Sequence, residues 1–138
     1  MTDLQLPAPT PTYDSRDYWG SAAEGRLVLR ACQSCGKAMF YPRPLCPVCG
    51  SDKLEWREAS GRGVVHACTI VYRAPDQAFR AHAPYALALI DLEEGPRMMA
   101  NVTDCAPDAV HIGMPVTVWF EPRGADIAIP QFRPKEER

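Results

Sequence analysis

The alternation of apolar and polar residues predicts a chain built mostly from strands. Alternating or β-branched runs recur in the second half of the chain, separated by turn residues such as Gly, Pro and Asp. An open antiparallel sheet of these strands would leave unpaired edges, whereas a small closed barrel has none. We therefore predict a five-stranded OB-type barrel, with strands at residues 64–73, 85–92, 98–103, 116–121 and 127–132.

A segment with helical spacing lies before the strands, from about residue 15 to residue 24. Asp14 or Ser15 is a suitable N-cap for it, and Gly25 would end it. The apolar face of this helix either packs on the body of the protein or docks on a partner chain, and the sequence favours neither interpretation. The residues on that face are Tyr18, Trp19, Ala22 and Ala23.

Turn and proline residues divide the chain into four parts. Prolines alternate in residues 1–12, which predicts an extended arm rather than part of a core. Short strands at residues 26–30 and 54–58 flank a segment rich in Cys and Pro, and a Gly-rich turn follows at residues 60–63. The predicted parts are 1–25 (arm and short helix), 26–60 (ribbon), 61–133 (barrel) and 134–138 (charged tail).

Composition and charge narrow the class of partner. Hydrophobic residues make up 46% of the 138 positions, which suits a globular core, and the formal charge is −2. No basic block offers a footprint for nucleic acid, and no apolar run could span a bilayer. Residues 1–12 have no basic region before an apolar stretch, so we do not expect them to be a secretory signal. We expect a cytoplasmic protein with neither a membrane nor a nucleic-acid partner. Thiols stay reduced in that compartment, so clustered cysteines indicate metal rather than disulfides.

Four cysteines have the spacing of a metal site, C-x2-C-x10-C-x2-C, and a glycine follows each pair. Two cysteines separated by two residues fit one tight turn, and two such turns complete a tetrahedral sulfur shell with Zn–S distances of about 2.3 Å. Cys46-Pro-Val-Cys49-Gly50 resembles a rubredoxin knuckle, which leaves iron as the alternative, but ten residues between the pairs favour zinc. We predict one structural Zn²⁺ held by Cys32, Cys35, Cys46 and Cys49.

The remaining thiols and imidazoles form no convincing catalytic set. Cys68 lies two residues from His66 on a predicted strand, which would place both side chains on one face. We interpret Cys68 as a small buried hydrophobe and Cys105 as a loop thiol. His82 and His111 lie in predicted loops without ligand spacing. The chain is therefore not expected to be catalytic by itself.

Residues 26–121 resemble a known family in which a rubredoxin-like zinc ribbon precedes an OB-fold, a domain of unknown function associated with acyl-CoA enzymes. The resemblance rests on motifs in a fixed order. They are Tyr18-Trp19, Gly25-Arg-Leu-Val-Leu-Arg-Ala-Cys32, Phe40-Tyr-Pro-Arg-Pro44, Gly61-Arg-Gly63, Pro84-Tyr85, Leu92-Glu-Glu-Gly95, Ile112-Gly-Met-Pro-Val116 and Trp119-Phe120.

The resemblance implies a function that the residue pattern alone does not. Members of the family are non-catalytic partners of thiolase-superfamily enzymes of thiolase or aldolase type, and some accompany enoyl-CoA hydratases. In them the barrel lies against the partner and helps to form the acyl-CoA channel. A module that binds single-stranded nucleic acid is the alternative, because zinc ribbons and OB-folds also serve there. Its weakness is the scarcity of Lys, with only Lys37 and Lys53 before the tail.

The predicted loop at residues 74–84 is the candidate contact with acyl-CoA, because loops on rigid scaffolds often carry binding. Arg73 and Arg80 could bind CoA phosphates, and Phe79 and Tyr85 could line a slot for the pantetheine arm. The alternative is a solvated loop in which the arginines pair with Asp76.

Overall fold

The computed structural model of the protein describes residues 6–124 and 126–135. A short helix, α1 (Arg16–Ala23), precedes a three-stranded antiparallel sheet made of β1 (Val28–Cys32), β2 (Ala38–Met39) and β3 (Leu54–Glu58), with β1 in the centre. The strands of the closed barrel are β4 (Arg62–Val71), β5 (Tyr85–Leu92), β6 (Arg97–Val102), β7 (Pro115–Pro122) and β8 (Ala128–Pro134). A helical turn, α2 (Gln77–Arg80), lies between β4 and β5, and a 3-10 turn (Pro107–Ala109) lies between β6 and β7.

The predicted fold class is confirmed: a short helix, a zinc ribbon and a five-stranded barrel follow one another. Strands β3 and β5 have the predicted bounds. The segment predicted as a loop contains α2, because the Asp76 carboxylate accepts a hydrogen bond from the Ala78 N–H at 2.7 Å and caps a turn there. Strand β4 begins at Arg62, inside the predicted turn. The division of the chain into four parts stays a prediction.

Strand pairing around the barrel runs β4-β5-β6-β8-β7 and returns to β4. Neighbouring strands are antiparallel except β6 and β8, which are parallel and pair at Val102 and Phe132. Buried positions alternate with more exposed ones along β5 and β6, as expected for strands with one face on a core. The barrel is therefore closed between its third strand and its last, at a short contact.

The core of the barrel extends into the ribbon and the helix. Phe132, Ile90 and Val116 are fully buried, and Leu29 of β1 and Tyr18 of α1 belong to the same cluster. Of the two interpretations of the helix face, packing on the body of the protein is the one observed: Tyr18 and Ala22 are buried, and Trp19 packs against the cluster with part of its surface exposed. The prediction was wrong for Ala23, which is exposed.

Ser15 precedes α1, but its side chain does not cap the helix. Its hydroxyl instead accepts a hydrogen bond from the Thr12 N–H at 2.9 Å, which fixes the turn that leads into α1. Residues 1–5 of the predicted arm and 136–138 of the predicted tail lie outside the described residues. Within the described part, no helix has the length and apolar character needed to cross a bilayer.

Candidate metal centre and loop-end cavity

The four predicted cysteines lie together at one end of the small sheet. Their sulfur atoms all lie within 4.8 Å of one another, with Sγ–Sγ distances of 3.5 Å from Cys32 to Cys49 and 3.7 Å from Cys35 to Cys46. Cys32 and Cys46 are buried, whereas Cys35 and Cys49 are exposed. The four cysteines are positioned to bind one metal ion, as the sequence predicted.

Each pair is shaped by a tight turn that ends in glycine. Gly36 and Gly50 have φ angles of 79° and 78°, which disfavour a residue with a side chain, and their N–H groups donate to the carbonyls of Cys32 and Cys46 at 2.8 and 2.9 Å. The two turns are also joined by their serines, since the Ser34 and Ser51 hydroxyls lie 3.0 Å apart. The sequence C-x2-C-G thus places both sulfurs of a pair on the same side.

Backbone N–H groups favour the thiolate form of two ligands. The Cys35 N–H lowers the pKa of Cys32 to about 6, against the effect of burial, and the Cys49 N–H lowers the pKa of Cys46. For Cys49 the Ser51 N–H lowers the pKa, but the hydrogen bond with Cys32, burial and the other neighbouring thiols outweigh it and raise the pKa to about 11. Backbone hydrogen bonds thus favour the anionic form of two of the four sulfurs, the form that binds a metal.

A centre of this kind has no open coordination position. Four cysteine sulfurs complete a tetrahedral shell, so neither water nor substrate could reach a bound ion. The donor set fits zinc, whose structural sites commonly have four thiolates. The role of the ion would be to hold the ribbon, because so short a segment buries little apolar surface of its own.

The four residues predicted to contact acyl-CoA are divided between two cavities at the loop end of the barrel. Phe79 and Tyr85 line a cavity of about 310 Å³, and their ring centroids lie 6.4 Å apart. Arg73 and Arg80 line a second cavity of about 340 Å³, beside the exposed Tyr72. Asp76 caps α2, and within the described part of the chain it forms no ion pair with Arg73 or Arg80, the predicted alternative.

Arg80 also holds the loop together. Its Nε donates to the Ala74 carbonyl at 3.2 Å and its guanidinium donates to the Pro75 carbonyl at 3.3 Å. Two hydrogen-bond donors of Arg80 are therefore already in use, and Arg80 has fewer donors left for a ligand than Arg73 has.

His66 and Cys68 do not form a pair. A β-bulge separates Val65 from Ala67 in the pairing with β5. The His66 Nδ1 lies 3.4 Å from the Asp91 carboxylate and 3.2 Å from Arg97, whereas the Cys68 Sγ lies 3.7 Å from the Val110 carbonyl. The two side chains thus engage different groups.

The prediction that Cys68 is buried was wrong, because its side chain is exposed. Strand β4 pairs with β7 only over Arg62–Val64, so beyond the bulge it has β5 alone as a neighbour. Cys105 is half-buried in a loop, as expected. His82 and His111 are both exposed, and His82 lies at the edge of the 310 Å³ cavity.

Sequence reasoning missed Leu6 and Arg123, which line the same cavity as Phe79. Arg123 follows β7 in a Pro-Arg-Gly turn, and Leu6 lies in the Pro-rich arm. Neither residue has a motif around it, and their proximity depends on the closed fold.

A zinc ribbon followed by an OB-fold barrel is the class of protein that this fold and this cysteine site define. A family model described as the rubredoxin-like zinc ribbon domain of ChsH2 matches residues 19–55, and one described as its C-terminal OB-fold domain matches residues 56–121. The chain belongs to this family, that of the ChsH2 and DUF35 proteins.

Proteins with similar sequences include scaffold proteins and subunits of hydratases. A DUF35 domain-containing scaffold protein of Pyrococcus furiosus is 43% identical over 100 residues, which cover 72% of each chain. A probable enoyl-CoA hydratase alpha subunit of Thermomonospora curvata is 36% identical over 129 residues, which cover 93% of this chain and 40% of the relative. The chain thus spans about two fifths of the length of that hydratase subunit.

A solved structure shares nearly the whole fold. A chain of the structure named Ltp2-ChsH2(DUF35) aldolase is 35% identical and superposes with a TM-score of 0.82. The match covers 91% of this chain and 98% of the other.

Proposed function

We propose that this chain is a non-catalytic accessory subunit of a thiolase-superfamily acyl-CoA enzyme of thiolase or aldolase type. The partner supplies the nucleophile and the acid–base groups, and this chain supplies a docking surface and part of the acyl-CoA channel. The observation that carries the proposal is the match over 98% of a chain in the Ltp2-ChsH2(DUF35) aldolase structure, at 35% identity. The four-sulfur site supports it, because a closed centre stabilises a fold without taking part in a reaction.

The two loop-end cavities suggest how acyl-CoA would lie on the barrel. Arg80 and Ala83 line the second cavity, and Phe79 and Pro84 line the first, so the segment 79–84 separates two adjoining spaces. Arg73 and Arg80 would bind the phosphates of CoA through charge-assisted hydrogen bonds. The pantetheine arm would pass the segment and lie in the cavity that the rings of Phe79 and Tyr85 line.

An enoyl-CoA hydratase-like protein is the second candidate partner. It is favoured by the 36% identity to the Thermomonospora curvata hydratase alpha subunit, a protein in which the matched region is 40% of the length. In either case we propose a cytoplasmic complex, because a reducing compartment keeps the four clustered cysteines available to a metal.

The experiment is reconstitution with a thiolase-superfamily protein encoded in the same genome. Light scattering during gel filtration measures complex formation, and acyl-CoA turnover is measured for each protein alone and for the complex. We expect no turnover by this chain alone and the greatest turnover by the complex. Turnover by the isolated chain that Cys68→Ala or His66→Ala abolishes would contradict the proposal.

Two parallel assays separate the alternatives. Assembly with a hydratase-like protein, but not with a thiolase-like one, would select the second candidate partner. Salt-dependent binding of a single-stranded oligonucleotide, with no assembly at all, would instead favour the nucleic-acid module.

A further inference from the structure

The cavity of about 310 Å³ contains a charged side chain that is nine-tenths buried. Arg123 lines this cavity, and its side chain is only 10% exposed. The other walls are mixed: one part is apolar and includes Leu6, Phe79, Tyr85 and Val102, and the rest is polar. The polar residues are His82, Asn101, Thr103, Asp104 and Glu121. A cavity of this size lies at the small end of the range for ligand sites, which commonly combine apolar walls with a few polar groups.

The guanidinium of Arg123 donates to a carboxylate and to a peptide carbonyl, and its Nε–H has no acceptor among the described residues. One NH2 group donates to the Glu121 carboxylate, and the other donates to the Pro7 carbonyl at 2.8 Å. The Nε atom is buried and has no acceptor among residues 6–124 and 126–135. A buried donor without an acceptor is unfavourable, so the guanidinium of Arg123 can still donate to a further acceptor.

The N-terminal arm is the group that now lies against this guanidinium. The Leu6 side chain of the arm lines the cavity, and the Pro7 carbonyl accepts the hydrogen bond from Arg123. Glu121 already balances the charge of Arg123, so the remaining donors suit a neutral carbonyl better than a second anion. The arm therefore displays the chemistry that the cavity accepts: an amide carbonyl next to an apolar group.

We propose that the cavity binds an amide-linked aliphatic chain, that Arg123 donates to an amide carbonyl of this ligand, and that the arm at Leu6 and Pro7 competes for the same place. The ligand is the pantetheine arm of acyl-CoA, which carries amide carbonyls and a branched aliphatic group. This identification rests on the function proposed above. The cavity and the competing arm belong to this chain alone.

Pantetheine itself is the probe, and the full 138-residue chain with zinc is the receptor. In a titration followed by ¹H–¹⁵N NMR, the Arg123 Nε–H signal reports any change of acceptor at the guanidinium, and the Leu6 methyl signals report displacement of the arm. We expect both sets of signals to move together along one binding curve. If neither moves up to the solubility limit of pantetheine, the proposal is wrong.

Three variants sharpen the assignment. Arg123→Lys keeps a cation beside Glu121 but has no guanidinium, and it should weaken pantetheine binding about tenfold. Arg62→Lys is the matched control, because Arg62 lies on β4 and forms an exposed ion pair with Glu93. This variant should bind pantetheine as the unaltered chain does. Leu6→Gly weakens the competing arm and leaves Arg123 in place, so it should bind pantetheine more tightly.

Leu6→Gly keeps the test decisive if Arg123→Lys fails to fold. Unchanged affinity in Leu6→Gly would overturn the competition by the arm. Acetyl-Leu-Pro-amide reproduces the arm at Leu6 and Pro7. It tests whether the cavity binds a peptide, which also carries an amide carbonyl next to an aliphatic group. If the dipeptide moves the Arg123 Nε–H signal and pantetheine does not, the site takes a polypeptide and the pantetheine assignment is wrong.

These outcomes are independent of the enzymatic partner. Pantetheine binding at Arg123 without assembly with a thiolase-like or hydratase-like protein would contradict the proposed function and preserve this site. Assembly with such a protein, without any change of the Arg123 signal on addition of pantetheine, would support the proposed function and contradict this site.

Discussion

Gly63 and Ile90 lie so close together that no side chain fits between their strands. A Cβ atom at Gly63 would meet the Ile90 Cγ2 at 2.6 Å and the Asp91 carbonyl oxygen at 2.9 Å. Ile90 is fully buried, and the Asp91 oxygen belongs to the backbone of β5, so neither can yield easily. The Gly-x-Gly motif at the start of β4 thus has a packing role at the point where the barrel begins.

Gly63→Ala should therefore destabilise the protein by about 1–3 kcal/mol, the usual cost of overpacking a core. Urea unfolding measures the change. Gly20→Ala is the matched control, because Gly20 lies in α1 and a Cβ there meets nothing within 4 Å. The control should stabilise the protein by about 0.5–1 kcal/mol, since alanine favours helix. Equal effects of the two substitutions would contradict the close packing of Gly63.

Removal of one metal ligand should release the ion and unfold the ribbon. Purified protein should contain about one zinc per chain, and Cys46→Ser should lose it, because three thiolates no longer complete the shell. Metal analysis and circular dichroism before and after chelation measure both effects. Cys105→Ser, at a loop thiol outside the four-sulfur site, should keep its zinc. Full zinc content in Cys46→Ser would rule out a four-cysteine centre.

Burial of Tyr18 should make stability fall at high pH. Desolvation raises the pKa of Tyr18 well above its ordinary value of 10.0, so the unfolded chain loses this proton at a lower pH than the folded chain does. The contribution of Tyr18 to the free energy of unfolding is complete below about pH 10. Above that pH it decreases by up to about 1.4 kcal/mol per pH unit.

Tyr18→Phe should remove that part of the loss, as measured by urea unfolding between pH 8 and pH 11. Tyr13→Phe is the control, since its ring is 85% exposed. Identical slopes of stability against pH in both variants would show that Tyr18 is not the cause.

Replacement of the loop arginines separates ligand binding from assembly. In a reconstituted complex, Arg73→Ala should raise the apparent KM for acyl-CoA about tenfold and leave assembly unchanged, because one charge-assisted contact is lost. Arg80→Ala should raise KM and also speed amide exchange in the loop, since Arg80 holds the carbonyls of Ala74 and Pro75. Arg62→Ala, at an exposed surface pair, is the control. Loss of assembly in Arg73→Ala would identify the loop as a protein–protein contact.

The parts of this molecule that sequence predicts well are those determined by local spacing. The two cysteine turns need only four adjacent positions each, and the alternation in β5 places its strand at the right residues. By contrast, β2 has two residues and owes its existence to pairing with Arg30 and Ala31 of β1. Cys68 was assigned to the core from its strand pattern, but the bulge at Val65 and the early end of the β7 pairing expose it.

The loop-end cavity could not have been predicted from spacing. Its walls come from the arm, the segment before β5, the end of β6 and the turn after β7, so Leu6 and Arg123 meet only because the barrel closes. Phe79 and Tyr85 are predictable as neighbours because they lie only six positions apart in the sequence, within or beside the predicted loop. Long-range proximity of single residues leaves no local pattern to interpret.

The position of Phe132 has a consequence for synthesis on the ribosome. This residue lies on β8, yet it is buried beside Leu29 and Tyr18, which are made about a hundred residues earlier. The cysteine turns are complete by Gly50 and can take up metal while most of the barrel is still untranslated. The apolar faces of α1 and β1 are covered completely only once β8 is made, so during translation they are exposed and available to a chaperone.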